Sequence, residues 1–204
     1  MKKLVLLAVL ALALPTAVFA SSNIDYSNSG GNLSGSKSGL ELSGSVLIAV
    51  DGSGGLITGS NLGSVSFETG ALQTGSLQGG GTFAAGGWFT ITGNGSNGVP
   101  SGTLFTGTFS GPVTWSMTTL SNGTHNYTLT GALSGTTGSG YSTVGVTVQL
   151  TVNTGKGFFN GCTSTRISSG DTNVSTVVPE PGSLSLLGTG LVALGGAIRR
   201  KLKV

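Results

Sequence analysis

The chain has 204 residues, of which 38 are Gly, 28 Ser and 27 Thr. Charged residues make up only 7%, against roughly 25% in ordinary soluble domains. That argues against a helical bundle, a coiled coil and an ordinary cytosolic enzyme, and the unperiodic glycines with only five prolines exclude collagen.

The net charge of +3 sits at the two ends of the chain. Between residues 21 and 178, Lys37, Lys156 and Arg166 stand against Asp25, Glu41, Asp51, Glu68 and Asp171. This interior is net acidic and offers no basic face to a phosphate backbone, so no nucleic-acid partner is expected.

Residues 1–20 have a positive start at Lys2 and Lys3, an unbroken apolar run from Leu4 to Leu14, and a helix-breaking Pro15. Val18 and Ala20 then place small residues at −3 and −1 of a cleavage point between Ala20 and Ser21. This is the layout of a secretory signal peptide. An uncleaved anchor is the alternative, but about eleven apolar residues reach only about 16 Å of a roughly 30 Å bilayer core. Residues 21–38, SSNIDYSNSGGNLSGSKS, have little to bury and are expected to be a flexible segment.

The body, 39–167, alternates with a period of two. Leu40, Leu42, Val46, Ile48 and Val50 oppose Glu41, Ser43 and Ser45, and Val65 and Phe67 follow more weakly. Phe105, Phe109, Val113, Trp115 and Met117 oppose Thr106, Thr108, Ser110, Thr114, Ser116 and Thr118. His125, Tyr127, Leu129 and Leu133 share a face, as do Val144, Val146, Val148, Leu150 and Val152. One apolar and one Thr/Ser face marks antiparallel sheets buried on one side. Asp51-Gly-Ser-Gly-Gly, Asn94-Gly-Ser-Asn-Gly and Ser121-Asn-Gly are turn chemistry. Thr-Gly-x-(Leu/Phe)-(Ser/Gln)-Gly recurs at 74–79, 106–111 and 130–135, at the unequal spacings of 32 and 24 residues. A solenoid needs a constant period. The expected fold is all-β: an antiparallel sandwich or barrel, as a meander or Greek key, of roughly eight to ten strands. A β-solenoid is the alternative.

Catalytic signals are sparse. His125 is the single histidine, so no metal pair can form, and its place on an apolar strand face suits a packed side chain. No Gly-x-Ser-x-Gly precedes a helix and no Gly-Lys-Ser/Thr is present. The five body carboxylates are scattered, with Glu41 and Glu68 on strand faces and Asp51 in a turn. Neither an enzyme nor a cofactor or metal is expected. Cys162 is the lone cysteine, which excludes an internal disulfide, and burial is its expected environment. Trp88 is the candidate binding residue: Phe89 and Ile91 take one strand face, leaving Trp88 on the other with Gly86, Thr90 and Thr92. A flat aromatic among small polar neighbours is a candidate stacking platform for a sugar ring, with Tyr127 or Tyr141 as candidate companions. Packing under a loop or a second sheet is the competing role.

Residues 168–181 are expected to be a linker ending in Pro179-Glu180-Pro181, where two prolines impose a stiff extended segment. Leu184 to Ile198 is then free of charge and is followed by Arg199, Arg200, Lys201 and Lys203. With flanking residues and a snorkelling Arg199, the 182–204 segment is just long enough for one transmembrane helix, oriented by its basic end. Pro-Glu-Pro, a short apolar helix rich in Leu, Gly and Ala, and a terminal basic cluster together resemble the PEP-CTERM sorting signal. The resemblance covers about residues 178–204. It implies a substrate of an exosortase, a membrane-embedded processing enzyme, with Pro179, Glu180 and Pro181 as recognition motif and Arg199, Arg200 and Lys201 as basic stop. The chain departs slightly from the pattern by continuing as Leu202-Lys203-Val204. The resemblance also implies export, retention at the inner membrane and later transfer to the cell surface or matrix of an exopolysaccharide-producing bacterium. The expected function is thus a non-enzymatic surface or matrix protein; the alternative is a glycan-binding module for exopolysaccharide, and a secreted hydrolase ranks last.

Overall fold

A computed structural model describes residues 20–178. Residues 1–19 of the expected signal peptide, Pro179, Glu180, Pro181, the 182–204 helix and its Arg199, Arg200 and Lys201 lie outside the described residues. Ala20 and Ser21 open the first strand.

The described chain forms β1 (Ala20–Ser29), β2 (Asn32–Ser36), β3 (Gly39–Gly52), β4 (Gly55–Glu68), β5 (Leu72–Ser76), β6 (Gly80–Phe83) and β7 (Gly86–Asn94). A single 3₁₀ turn at Ser96–Gly98 leads to β8 (Ser101–Phe109), β9 (Val113–Thr119), β10 (His125–Thr137), β11 (Thr143–Asn153), β12 (Thr165–Arg166) and β13 (Ser169–Val178). Around the sheet β1 is followed by β3, β4, β7, β8, β10, β11 and β13, and β13 is bonded back to β1. The circuit closes into an eight-stranded antiparallel barrel. The shorter strands prolong its walls: β2 pairs with β3, β5 with β6, β6 with β9, and β9 with β10. Each hairpin joins spatial neighbours, so the topology is an up-and-down meander. Of the architectures open to the sequence, the meander barrel is observed; a solenoid would not return its last strand to its first.

Two expected loose segments are strands. Residues 21–38 contain β1 and β2, and 168–177 lie in or beside β13, which completes the ring. Their apolar content is low, but Tyr26, Leu33 and Val174 are all buried. Backbone pairing with both neighbours supplies the remaining order. Between β1 and β2 the chain bends at Gly30 and Gly31, with φ of 67° and 80°. A Cβ on Gly31 would lie 2.5 Å from the Ser45 backbone nitrogen, so only glycine fits.

The interior is filled. Phe67 and Phe89 stack with centroids 5.7 Å apart, and Phe109 meets both edge-on at 5.9 and 6.2 Å. Barrels of eight strands are just wide enough for such filling. Leu40, Leu42, Val65, Phe67, Phe105, Trp115, Tyr127, Leu129 and Val146 to Val152 at alternate positions point inward as their periodicity predicts. The predicted phase fails in β3. A register shift lies between Leu42 and Ser45, around Gly44 (φ 64°), and a second lies between Leu47 and Ala49. Between these bulges Ser45 and Leu47 are the buried residues, while Val46 and Ile48 are only half-buried. The buried Ser45 hydroxyl is satisfied by Asn28, whose Nδ2 donates to its Oγ at 2.7 Å.

One barrel end is plugged. Trp115 stacks on Tyr127 at 5.0 Å and meets Phe159, from the 154–164 loop, at 5.2 Å. Trp115 Nε1–H donates to Leu77 O at 2.9 Å and Tyr127 O–H to Gln78 O at 2.7 Å. The Phe159 N–H in turn donates to the Tyr127 hydroxyl at 3.1 Å. At the opposite end lie the turns at 53–54, 95–100 and 138–142, the start of β1 and the end of β13. The chain therefore enters and leaves the barrel at one end.

Candidate functional site

Trp88 stands on the outer wall, 41% exposed, while Phe89 and Ile91 are buried inside. Its position is set by a bulge, because Gly86 pairs with Phe109 but Phe89 with Gly107. Gly87 in this bulge has φ 71°, and a Cβ there would meet Glu68 O at 2.0 Å. Bulges commonly re-aim side chains in this way.

Across the wall, Ser34 pairs with Glu41, Glu41 with Glu68, and Glu68 with Trp88. The indole Nε1–H of Trp88 donates to Glu68 Oε2 at 3.1 Å, which fixes the ring plane and polarises the carboxylate. Beside this row runs a shallow groove of about 200 Å³ lined by Ser34, Gly35, Ser36, Ser38, Glu41 and Glu68 among others. Like charges directly opposite on a sheet are mildly destabilising. The chemistry available is an aromatic face for stacking, flanked by carboxylates and hydroxyls that can bond sugar hydroxyl groups.

The sequence singles out Trp88 but not this partnership, and it takes Glu41 and Glu68 as separate solvated residues. Only register could join residues 20 and more positions apart. The candidate companions are not there: Tyr127 is fully buried in the barrel plug, and Tyr141 lies in the 138–142 end turn. His125 is buried against Phe158, centroids 4.4 Å apart, with Nδ1 3.0 Å from Thr119 Oγ1. Among the described residues no three His, Cys, Asp or Glu side chains are grouped to hold a metal ion. Cys162, expected buried, is exposed: its backbone N–H donates to Asn160 Oδ1 in the loop between β11 and β12.

A second acidic row crosses the wall where Asp25 pairs with Asp51 and lies near Asp171 on β13. Partial burial pushes the Asp25 carboxyl above its usual range, and the charges of Asp171 and Asp51 add to the effect, against a lowering by the Tyr26 backbone N–H.

The deciding comparison concerns the C-terminus. A family model for the PEP-CTERM protein-sorting motif matches residues 177–201. The chain carries a PEP-CTERM sorting signal. That signal marks an exported protein, anchored at the membrane by its C-terminus and then processed by an exosortase. The match begins at Val177 in β13, so the PEP-CTERM signal follows the barrel's closing strand directly. Comparison with curated proteins and with solved structures finds no match. No helix among the described residues is long and apolar enough to cross a membrane.

Proposed function

We propose that this PEP-CTERM chain is a non-enzymatic cell-surface or extracellular-matrix protein, with the barrel as the part that is displayed. The observation that carries the reading is a sorting signal joined directly to a closed barrel with a packed middle. Such a barrel offers no open sheet edge in its main ring and needs no disulfide. In this reading the chain is exported through residues 1–20, held by a transmembrane helix over 182–204, and cut near Pro179-Glu180-Pro181. Mass spectrometry of protein recovered from the producing cells tests it. The expected culture-fluid form begins at Ser21 and lacks residues 182–204; a fluid form retaining that stretch overturns the processing step.

A second reading is favoured by the Trp88–Glu68 bond: the outer wall binds a glycan of the surrounding exopolysaccharide. An indole already bonded to Glu68 has less side-chain freedom to lose when a sugar ring stacks on it. Wild type and Trp88→Ala are compared for retention on immobilised exopolysaccharide. Loss of retention in the variant supports the site, and equal retention removes it.

A further inference from the structure

The barrel end opposite the plug opens into a cavity of about 640 Å³. Ile24, Tyr26, Val50, Ile57, Val99 and Leu104 provide its apolar lining, and no charged residue takes part. Ser53, Thr103 and Ser139 are hydroxyl-bearing residues of the lining. The volume is in the range of small-molecule sites, which favour barrel mouths. Tyr26, only 4% exposed, is among the lining residues. Burial pushes this phenol up to about 12, as apolar surroundings require. Beside the opening, Leu56 in the β3–β4 hairpin is 65% exposed and Tyr141 in the β10–β11 turn is 44% exposed.

We propose that this mouth binds a single acyl chain with an uncharged, hydroxyl-bearing head, supplied by a neutral membrane lipid. The apolar lining takes the chain, and the hydroxyls and Tyr26 take the head. A charged head would lose its hydration to a lining with no counter-charge. The location selects a lipid over other apolar molecules. β13 ends at this end of the barrel, and five residues, 179–183, precede the apolar run 184–198. Five residues span at most about 18 Å, so little chain separates the closing strand from the apolar run through which the sorting signal anchors the protein. The proposal rests on the anchoring that the sorting signal implies and is independent of the matrix and glycan readings.

The test uses the full chain in phosphatidylcholine nanodiscs containing a monoacylglycerol with a diazirine near its chain end. After irradiation, peptide mapping is expected to place the label within 24–26, 50–57 or 99–104. Thr103→Arg and Ile57→Arg are expected to reduce labelling at least tenfold, and Thr118→Arg, at an exposed site near the plug, to leave it unchanged. Thr103 is exposed, so its variant keeps the fold even if Ile57→Arg does not. A diazirine fatty acid, ionised at pH 8, is expected to label several-fold less. Undiminished labelling of Thr103→Arg, label confined to the outer wall or to 182–204, or equal labelling by the fatty acid overturns the proposal.

Discussion

Tyr127→Phe tests whether the barrel plug is held by polar contacts as well as by packing. The phenol is fully buried, donating to Gln78 O at 2.7 Å and accepting from the Phe159 N–H at 3.1 Å. Removing the hydroxyl leaves the ring in place against Trp115 and Phe159, so little apolar contact is lost. Gln78 is an exposed residue, so its carbonyl can turn to water, at a net loss of about 1 kcal/mol. The Phe159 amide belongs to a buried bond, and an orphaned buried donor costs about 1–3 kcal/mol. The sum is about 2–4 kcal/mol of unfolding free energy, or a fall in Tm of about 4–16 °C for a domain of this size. Urea denaturation measures the first, and hydrogen exchange at the Phe159 amide should show selective loss of protection. Tyr141→Phe is the control and should change stability by less than about 0.5 kcal/mol, as exposed sites do. A Tyr127→Phe protein as stable as wild type, with Phe159 still protected, would refute the reasoning.

Gly87→Ala should destabilise by at least about 1–2 kcal/mol, the ordinary cost of a left-handed backbone for a residue with a Cβ. It should also release Trp88 from Glu68, seen as a red shift in emission after subtraction of the Trp88→Phe spectrum. Asp25→Asn should raise Tm at pH 7. Because the folded carboxyl titrates above its ordinary 3.8, the folded state binds more protons in that window, and stability falls as pH rises through it. Below the ordinary value the cost is absent, and above the folded value it is complete. Thermal melts from pH 3 to 7 should therefore show wild type losing ground to Asp25→Asn as pH rises; parallel curves count against the burial argument.

The strands were legible where alternation is unbroken. Along β10 and β11, Tyr127, Leu129, Val148 and Leu150 face inward as their spacing requires, because a one-residue slip would turn each of them to water. Alternation misled in β3, where the bulge at Gly44 reverses the phase for a few residues, and a bulge leaves no mark in a sequence rich in glycine everywhere. Closure was invisible for a related reason. β1 and β13 have few large apolar residues, and what orders them is each other's backbone, some 150 positions away. Trp88 could be assigned to the outer wall from Phe89 and Ile91. Its bond to Glu68 could not, since that depends on the register of two strands and on the bulge at Gly86 and Gly87.

Low charge and closure belong together in this molecule. An open sheet exposes a row of unpaired N–H and C=O groups, which proteins ordinarily protect with lysines, inward charges or prolines. With three basic residues between positions 21 and 178, this chain cannot protect a long edge in that way. Returning β13 to β1 removes the two edges that the meander would otherwise leave. What stays open among the described strands is short: β5 pairs only with β6, and β12 only with β2, over five and two residues respectively. A β13 substitution such as Val174→Pro removes an inward side chain and a ladder donor from the closing strand. It should convert the exported protein into aggregates, measured by sedimentation of the protein recovered from cells, and a soluble monomer at wild-type yield would show that closure is not what protects it.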